Sequence, residues 1–194
     1  MKTLIIDTST KFLYVSLVVD NFEVYKNVLE GKNNHSEQLI PIIIQALNSN
    51  NITVGEIDKI IVGKGPGSYT GLRISMTVAK MFAWTKNIDL YPLSSLDIIA
   101  SGYYKVNGKY AIKSIAKKNY IYGKVVEIKD GKANNLIDDE FSLENDFDEK
   151  IKNIDCIIID EGNYLYDGIK IISLAVEKCE DVHLLGPNYL RKVL

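Results

Sequence analysis

The chain has 194 residues, 46% of them hydrophobic, and a formal net charge of −2. This length suits one compact domain or two small lobes that share an interface. Only two arginines accompany 21 lysines, and because arginine is the better bidentate reader of phosphate, an autonomous RNA-binding protein is disfavoured. We expect a cytoplasmic protein without a signal peptide or membrane span, since no apolar stretch reaches the roughly 18 residues that a bilayer requires.

The first half of the chain alternates between strand and helix patterns. Apolar runs predict strands over 2–7, 12–19 and 22–29, with Asp20-Asn21 as the turn of a hairpin. A helix over 36–48, capped by Ser36, is followed by a strand at 57–62, a helix at 72–86, a strand at 88–91 and a helix at 94–101. This order predicts a mixed sheet with helices on its faces.

The second half repeats this order in a reduced form. Strands are predicted over 109–115, 120–128 and 154–160, a helix over 168–178 and a short strand over 182–185, whereas the acidic segment 138–152 has an ambiguous period. Glycine and asparagine cluster between 101 and 108. The sequence therefore predicts two α/β lobes, residues 1–102 and a smaller 103–194.

Three glycines connect the 57–62 strand to the following helix in Gly65-Pro-Gly-Ser-Tyr-Thr-Gly-Leu-Arg-Ile-Ser75. Glycine allows close backbone approach, and a helix N-terminus attracts anions, so this loop is either a phosphate site or a tight packing turn. Asp7-Thr-Ser-Thr10 after the first strand is either a phosphate clamp or, as we prefer because no glycine follows closely, a hydrogen-bonded turn. The candidate phosphate-binding residues are Asp7, Thr8, Ser9, Gly65, Gly67, Ser68, Thr70 and Gly71.

His35-Ser-Glu37 precedes the first long helix. A histidine beside a glutamate can serve acid–base chemistry, but a metal site needs a second nearby ligand, and the only other histidine is His183. Cys156 and Cys179 have no metal or redox spacing, and a disulfide between them is not expected. Helix capping is the simpler explanation of the motif, and we expect no catalytic residue, no metal and no cofactor.

The two helices of the first half are apolar on more than one face. A surface helix needs only one apolar stripe to cover its own sheet. The surplus face therefore predicts contact with another protein, unless the second half of the chain folds over it. The candidate interface residues are Leu39, Ile43, Leu47, Leu72, Met76 and Ala79.

Four segments together resemble the TsaB (YeaZ) family: Asp7-Thr-Ser-Thr10, His35-Ser-Glu37, Gly65 to Ser75, and Pro187-Asn-Tyr-Leu-Arg191. The glycine-loop match is long and specific, and the order of the segments spans nearly the whole chain. The resemblance implies an actin-like ATPase (ASKHA, ribonuclease H-like) fold, with two lobes of helix-flanked mixed sheets and a reduced second lobe. The chain departs from the family at 115–119, where many members carry an Asp-Ala-Arg type segment.

The resemblance also implies a function. The family is the non-catalytic partner of the paralogous enzyme TsaD, which binds the metal and transfers threonylcarbamoyl to a tRNA adenosine beside the anticodon; an ATPase, TsaE, joins the pair. The contact would use helices 36–48 and 72–86, tRNA would be met only through the complex, and the same helices would form a homodimer when the partner is absent.

Two enzymatic alternatives stay open at this point. The Asp7 turn and the glycine loop would also fit an autonomous ATP-dependent kinase of the same fold, acting on a small molecule, although the second half offers no convincing phosphate turn beyond Asp160-Glu-Gly162. A glycoprotease-like peptidase is a distant third, because no nucleophile or metal motif supports it.

Overall fold

The computed structural model describes residues 1–31 and 34–191. Within these residues two separate β-sheets are flanked by helices. The elements in chain order are β1 (Lys2–Asp7), β2 (Phe12–Val19), β3 (Phe22–Glu30), α1 (His35–Asn48), β4 (Lys59–Gly63), α2 (Tyr69–Lys86), β5 (Asp89–Leu93), α3 (Ser95–Ala100), β6 (Gly108–Lys117), β7 (Tyr120–Lys129), β8 (Lys132–Leu143), α4 (Glu144–Ile151), β9 (Ile157–Ile159) and α5 (Gly168–Leu174).

The first sheet has the strand order β3-β2-β1-β4-β5. β1 pairs antiparallel with β2 and parallel with β4, so the sheet is mixed as predicted. Neighbouring residues of β1 point to opposite faces: Leu4 and Ile6 pack in the cluster that contains the buried sides of α1 and α2. Ile5 packs in a second cluster, which contains α3, α5 and the second lobe. One face of this sheet is therefore covered by α1 and α2, and the other face by α3, α5 and the second sheet.

The second sheet is smaller and has the order β8-β7-β6-β9. Tyr110 and Ile112 on β6 join the cluster shared with the first lobe, whereas Ala111 between them packs with Phe147 and Ile151 of α4. The sheet thus lies between α4 and the first lobe. Both halves have the predicted mixed-sheet character, and the second half is the reduced one.

The structure differs from the sequence prediction mainly in the second half. Residues 132–143 form the long strand β8, where no strand is predicted; its second half lies in the acidic segment of ambiguous period. Most side chains of β8 from 132 to 140 are exposed, so it lacks the apolar alternation that marks a half-buried strand. The signal that could have found it is Asp130-Gly131, which turns with φ of 51° and 75° and joins β7 to β8.

Helix α1 also begins earlier than predicted. Asn34, not Ser36, is its N-cap residue, and Pro41 lies inside the helix rather than in its first turn. Glu37 does lie in the first turn, where a negative charge favours the helix dipole. No helix among the described residues is both long and apolar enough to cross a membrane.

The last described segment, residues 175–191, returns to the first lobe. The predicted strand at 182–185 is absent, but Cys179 N–H donates to the Leu90 carbonyl at 2.8 Å, and Asn188 N–H donates to the Lys64 carbonyl at 2.6 Å. Lys80 of α2 donates to the Leu185 carbonyl at 2.7 Å. The proposed boundary at residue 102 separates the two sheets, while this segment packs against the first lobe.

Candidate functional site

A cleft between the lobes forms the first candidate site. It encloses a cavity of about 570 Å³. The first lobe contributes the turn after β1 and the N-terminus of α2, the second lobe contributes β6 and β7, and the C-terminal segment contributes Tyr189 and Arg191. The cleft therefore gathers three of the four sequence segments on which the family resemblance rests, together with His35 of the fourth.

The glycine loop packs directly on the turn that follows β1. Ser68 N–H donates to the Ser9 carbonyl at 2.6 Å, and the Thr8 hydroxyl donates to the Gly71 carbonyl at 2.6 Å. A Cβ on Gly71 would lie 1.9 Å from the Thr8 carbonyl oxygen, and one on Gly67 would lie 2.5 Å from that of Ser9. Close packing within the chain is thus sufficient to require both glycines. A phosphate-binding role of the loop stays a prediction.

Two other loop residues have internal partners as well. The Ser68 hydroxyl accepts the Gly71 N–H at 3.2 Å and so caps α2. Gly65 has a φ of +99°, and a Cβ there would lie 2.9 Å from the Asn188 carbonyl oxygen. Thr70 is exposed and lines the cleft.

Asp7 lies buried at the end of β1, beneath the cleft. Its Oδ1 accepts the Ser9 N–H at 2.6 Å, while its Oδ2 is buried without a hydrogen bond. A Cβ on Gly63 would lie 1.9 Å from that Oδ2, so the carboxylate is enclosed by backbone. Burial raises the pKa of Asp7, and the hydrogen bond from the Ser9 N–H and the proximity of the Ser95 hydroxyl only partly oppose this shift.

Asp7→Asn is expected to stabilise the protein at neutral pH. Because folding raises the pKa of this acid above 3.8, the contribution of Asp7 to stability is most favourable below that value and is lost as the pH rises through the folded pKa. The asparagine variant cannot ionise, so this loss should disappear. Urea unfolding of both proteins between pH 4 and pH 7 measures the difference.

Asp155→Asn, at an exposed position, serves as the control and should change little. If the Asp7→Asn protein is less stable than the wild type at pH 7, the ionised carboxylate stabilises the folded state and the prediction is wrong.

His35, at the start of α1, contacts the turn that follows β1. Its Nε2 donates to the Thr10 carbonyl at 3.2 Å, which leaves the buried Nδ1 without a hydrogen bond. A Cβ on Gly31 would lie 2.2 Å from the ring, so the glycine makes room for it. His183 lies elsewhere, edge-on to Trp84 at 5.2 Å. Across the described ranges, no cluster of three or more His, Cys, Asp or Glu side chains is arranged to hold a metal.

The outer faces of α1 and α2 form the second candidate site. The structure sorts the side chains that the sequence could not sort by face. All six predicted interface residues are at most 4% exposed: Leu39, Ile43, Leu47, Met76 and Ala79 pack in the core cluster of the first sheet, and Leu72 lies against Gly65 of the glycine loop. As residues of the core they cannot be the surface that meets a partner, so this part of the prediction needs correction.

Other apolar side chains on the same two helices do reach the surface. Ile44 is 50% exposed, Met81 is 44% exposed, and Trp84 lies near the C-terminal end of α2. The C-terminal segment contacts the flank of α2 through the bonds of Lys80 and the ring contact between His183 and Trp84, but Trp84 stays 67% exposed. The sheet of the second lobe does not fold over α1 and α2, because it packs on the opposite face of the first sheet; of the second half, only the C-terminal segment, through Cys179, Val182 and Leu185, packs on their side.

A buried ion cluster that the sequence analysis missed joins the two lobes. The Lys124 ammonium on β7 lies 2.6 Å from Asp97 Oδ2 on α3 and 3.5 Å from Asp139 Oδ1 on β8. The hydroxyl of Tyr104 donates to Asp97 at 2.9 Å, and that of Ser94 donates to Asp139 at 2.7 Å. The available signal was a single lysine inside the apolar run of β7.

The pKa values of Lys124 and Asp139 in this cluster depend on burial and on the neighbouring charges. Burial alone would lower the pKa of Lys124, but the two carboxylates outweigh it and raise that pKa, so the ammonium is held charged. Burial raises the pKa of Asp139, opposed in part by Lys124 and by the Ser94 hydroxyl. The cluster fixes the second lobe against α3 through directional contacts.

Comparison with known proteins agrees with this architecture. The family model "TsaD: tRNA N6-adenosine threonylcarbamoyltransferase" matches residues 29–143. The tRNA threonylcarbamoyladenosine biosynthesis protein TsaB of Bacillus subtilis is 31% identical over 155 residues, which cover 80% of this chain and 68% of that protein. The protein of the same name from Haemophilus influenzae is 26% identical over 121 residues, covering 61% of this chain and 51% of that protein.

A solved structure shows the same fold. YeaZ from Pseudomonas aeruginosa superposes with a TM-score of 0.80 at 19% identity, over 97% of this chain and 99% of that one. The two helix-flanked mixed sheets around a cleft define a protein of the actin-like (ASKHA) fold class, as predicted. Within that class, the chain belongs to the TsaB (YeaZ) family.

Proposed function

We propose that this chain is a non-catalytic subunit in the synthesis of threonylcarbamoyladenosine on tRNA. Its relatives are named for that pathway, and in this proposal it binds and supports a TsaD-type enzyme in the cytoplasm. A TsaE-type ATPase would join the complex. The observation that carries the proposal is the apolar outer surface of α1 and α2, where Ile44 and Met81 are exposed on neighbouring helices.

Exposed apolar side chains on two adjacent helices favour a protein partner. Single exposed apolar residues are common, but a pair of adjacent helices can pack against the helices of another protein through ridges and grooves. A partner with the same fold would present an equivalent helix pair. For the same reason, a homodimer through these helices is expected when the partner is absent.

The geometry of the cleft gives less support to the kinase alternative. A kinase needs a carboxylate that acts as a general base and that the substrate can reach. The Asp7 carboxylate is instead enclosed by Gly63, Ser9 and the end of β1. Asp160 and Gly162, the candidate phosphate turn of the second lobe, bond to each other at 2.8 Å. Both features agree better with a structural role than with phosphoryl transfer.

Reconstitution tests the proposal. The chain, co-expressed with the TsaD-type enzyme, is expected to co-purify with it, and modification of an unmodified tRNA transcript is expected to require both proteins. Full modification by the enzyme alone would contradict the proposal. Isothermal titration of the isolated chain with ATP and Mg²⁺ separates the alternative, since micromolar binding together with phosphoryl transfer would favour a kinase.

A further inference from the structure

Of the two arginines of the chain, Arg191 lines the interlobe cleft, and Arg73 contacts two residues that line it, Tyr69 and Tyr189. The Arg73 guanidinium carbon lies 4.0 Å from the centre of the Tyr69 ring, and its Nε donates to the Tyr189 hydroxyl at 3.1 Å. The rings of Tyr69 and Tyr189 stack with their centres 4.6 Å apart. Tyr69 is 41% exposed and Tyr189 is 38% exposed. A cation and two aromatic rings are thus held together at the surface. Packing in a hydrophobic core does not explain this cluster, because its two rings are exposed.

The same chemistry continues across the cleft onto the second lobe. Arg191 and the largely buried Tyr122 line the same cavity. Tyr122 lies 5.7 Å from the ring of Phe141, which stacks on Tyr120 at 5.1 Å. The Lys117 ammonium lies 4.4 Å from the centre of the Tyr120 ring. We call this surface, from Arg73 through Tyr189 and Arg191 to Tyr120 and Lys117, the aromatic–cationic band.

The cations of the band are available for an anionic ligand. Over residues 1–31 and 34–191, Arg73, Arg191 and Lys117 form no ion pair with a carboxylate, and Arg73 instead donates to the hydroxyls of Tyr189 and Tyr69. Lys11, in the same cavity, differs, because it pairs with Glu30 at 3.2 Å and with Glu161 at 3.5 Å. Proteins bind single-stranded nucleic acid on surfaces where cations alternate with aromatic rings. The phosphates contact the cations and the bases stack on the rings.

We propose that the aromatic–cationic band binds an unpaired stretch of RNA, in which a base stacks on Tyr189 and phosphates contact Arg191 and Arg73. The inference rests on the proposed function, which supplies a tRNA as the substrate of the complex. It also accommodates the net charge of −2, since the chain needs only a local cationic surface when another protein of the complex shares the RNA.

RNA-binding measurements on the full-length chain, alone and bound to the TsaD-type enzyme, test this inference. The probe is a fluorescently labelled anticodon stem-loop transcribed without modification, and anisotropy is followed at several salt concentrations. Tyr189→Ala should weaken binding by roughly 5- to 150-fold, whereas Tyr189→Phe, which keeps the ring, should retain it. Arg191→Gln should lower the slope of log affinity against log salt by about one phosphate contact.

Two matched variants control for general loss of aromatic or basic surface. Phe22→Ala removes an exposed ring at the β2–β3 turn, the far end of the hairpin from the cleft, and Lys152→Gln removes an exposed charge after α4. Both should bind RNA as the wild type does. Unchanged affinity in Tyr189→Ala and Arg191→Gln, an equal loss in the controls, or no RNA binding by chain and complex alike would overturn the inference.

Co-purification with the enzyme is measured on the same variants, so the two proposals fail separately. If the band variants still assemble with the enzyme and the complex binds RNA with unchanged affinity, RNA binding by the band is refuted but the proposed function is not. A wild-type chain that never assembles with the enzyme refutes the proposed function. Selective capture of a peptide at the band, with no RNA affinity, would likewise refute the inference.

Discussion

Ile44→Glu is expected to leave the chain folded and to abolish its assembly with the TsaD-type enzyme, whereas Ile43→Glu is expected to unfold it. The two residues are neighbours in α1, but Ile44 is half exposed and Ile43 is buried in the core. A charge at the exposed position stays in water in the free chain and meets the partner's apolar surface in the complex. A charge at the buried position has no partner and is costly.

The effect on assembly should be large. Loss of a central interface residue typically costs more than about 2 kcal/mol, or roughly thirtyfold in affinity. Met81→Glu on α2 should behave like Ile44→Glu, and Met76→Glu, at a buried position, like Ile43→Glu. Thermal unfolding followed by circular dichroism distinguishes folded from unfolded variants, and pull-down with the enzyme measures assembly.

One result would contradict this arrangement. If Ile44→Glu and Met81→Glu both melt cooperatively and both bind the enzyme with unchanged affinity, the interface lies elsewhere. The proposed scaffold role through α1 and α2 would then be wrong.

Lys124→Met is expected to destabilise the protein by about 3–5 kcal/mol, because it leaves Asp97 and Asp139 facing each other in a buried site without a counter-charge. For a chain of this size, that corresponds to a melting temperature lower by roughly 6–20 °C. Urea and thermal unfolding measure the loss. The variant should regain stability as the pH falls, since protonation of either carboxylate removes the repulsion.

A second set of variants distinguishes the effect of breaking the ion cluster from the effect of removing any lysine. Adding Asp139→Asn to Lys124→Met should restore part of the stability, because it removes one of the two unpaired charges. Lys152→Met, at an exposed ion pair with Glu149, should change stability by less than about 1 kcal/mol. A loss in Lys124→Met no larger than in Lys152→Met would show that the cluster does not join the lobes energetically.

Local sequence patterns identified most of the first lobe because they reflect local rules. The apolar runs of β1 and β4 and the Asp20-Asn21 turn, with φ of 47° and 69°, follow from strand burial and turn geometry alone. The glycine loop was found for its motif, but its close contacts with Thr8 and Ser9 depend on how two distant segments meet. The exposed strand β8 lacks an apolar alternation and was missed, since its one local signal is the Asp130-Gly131 turn that precedes it.

The sequence by itself determined the family, the two mixed sheets and the surplus of apolar surface on α1 and α2, because each depends on residue type and spacing along one segment. Only the tertiary structure decided that Ile43 faces the core and Ile44 the solvent, since the direction of a helix face is fixed by the sheet against which it packs. It alone also brought Lys124 to Asp97 and Tyr189 to Tyr69. These contacts join residues far apart in the chain, and the periodicity of a short segment cannot predict them.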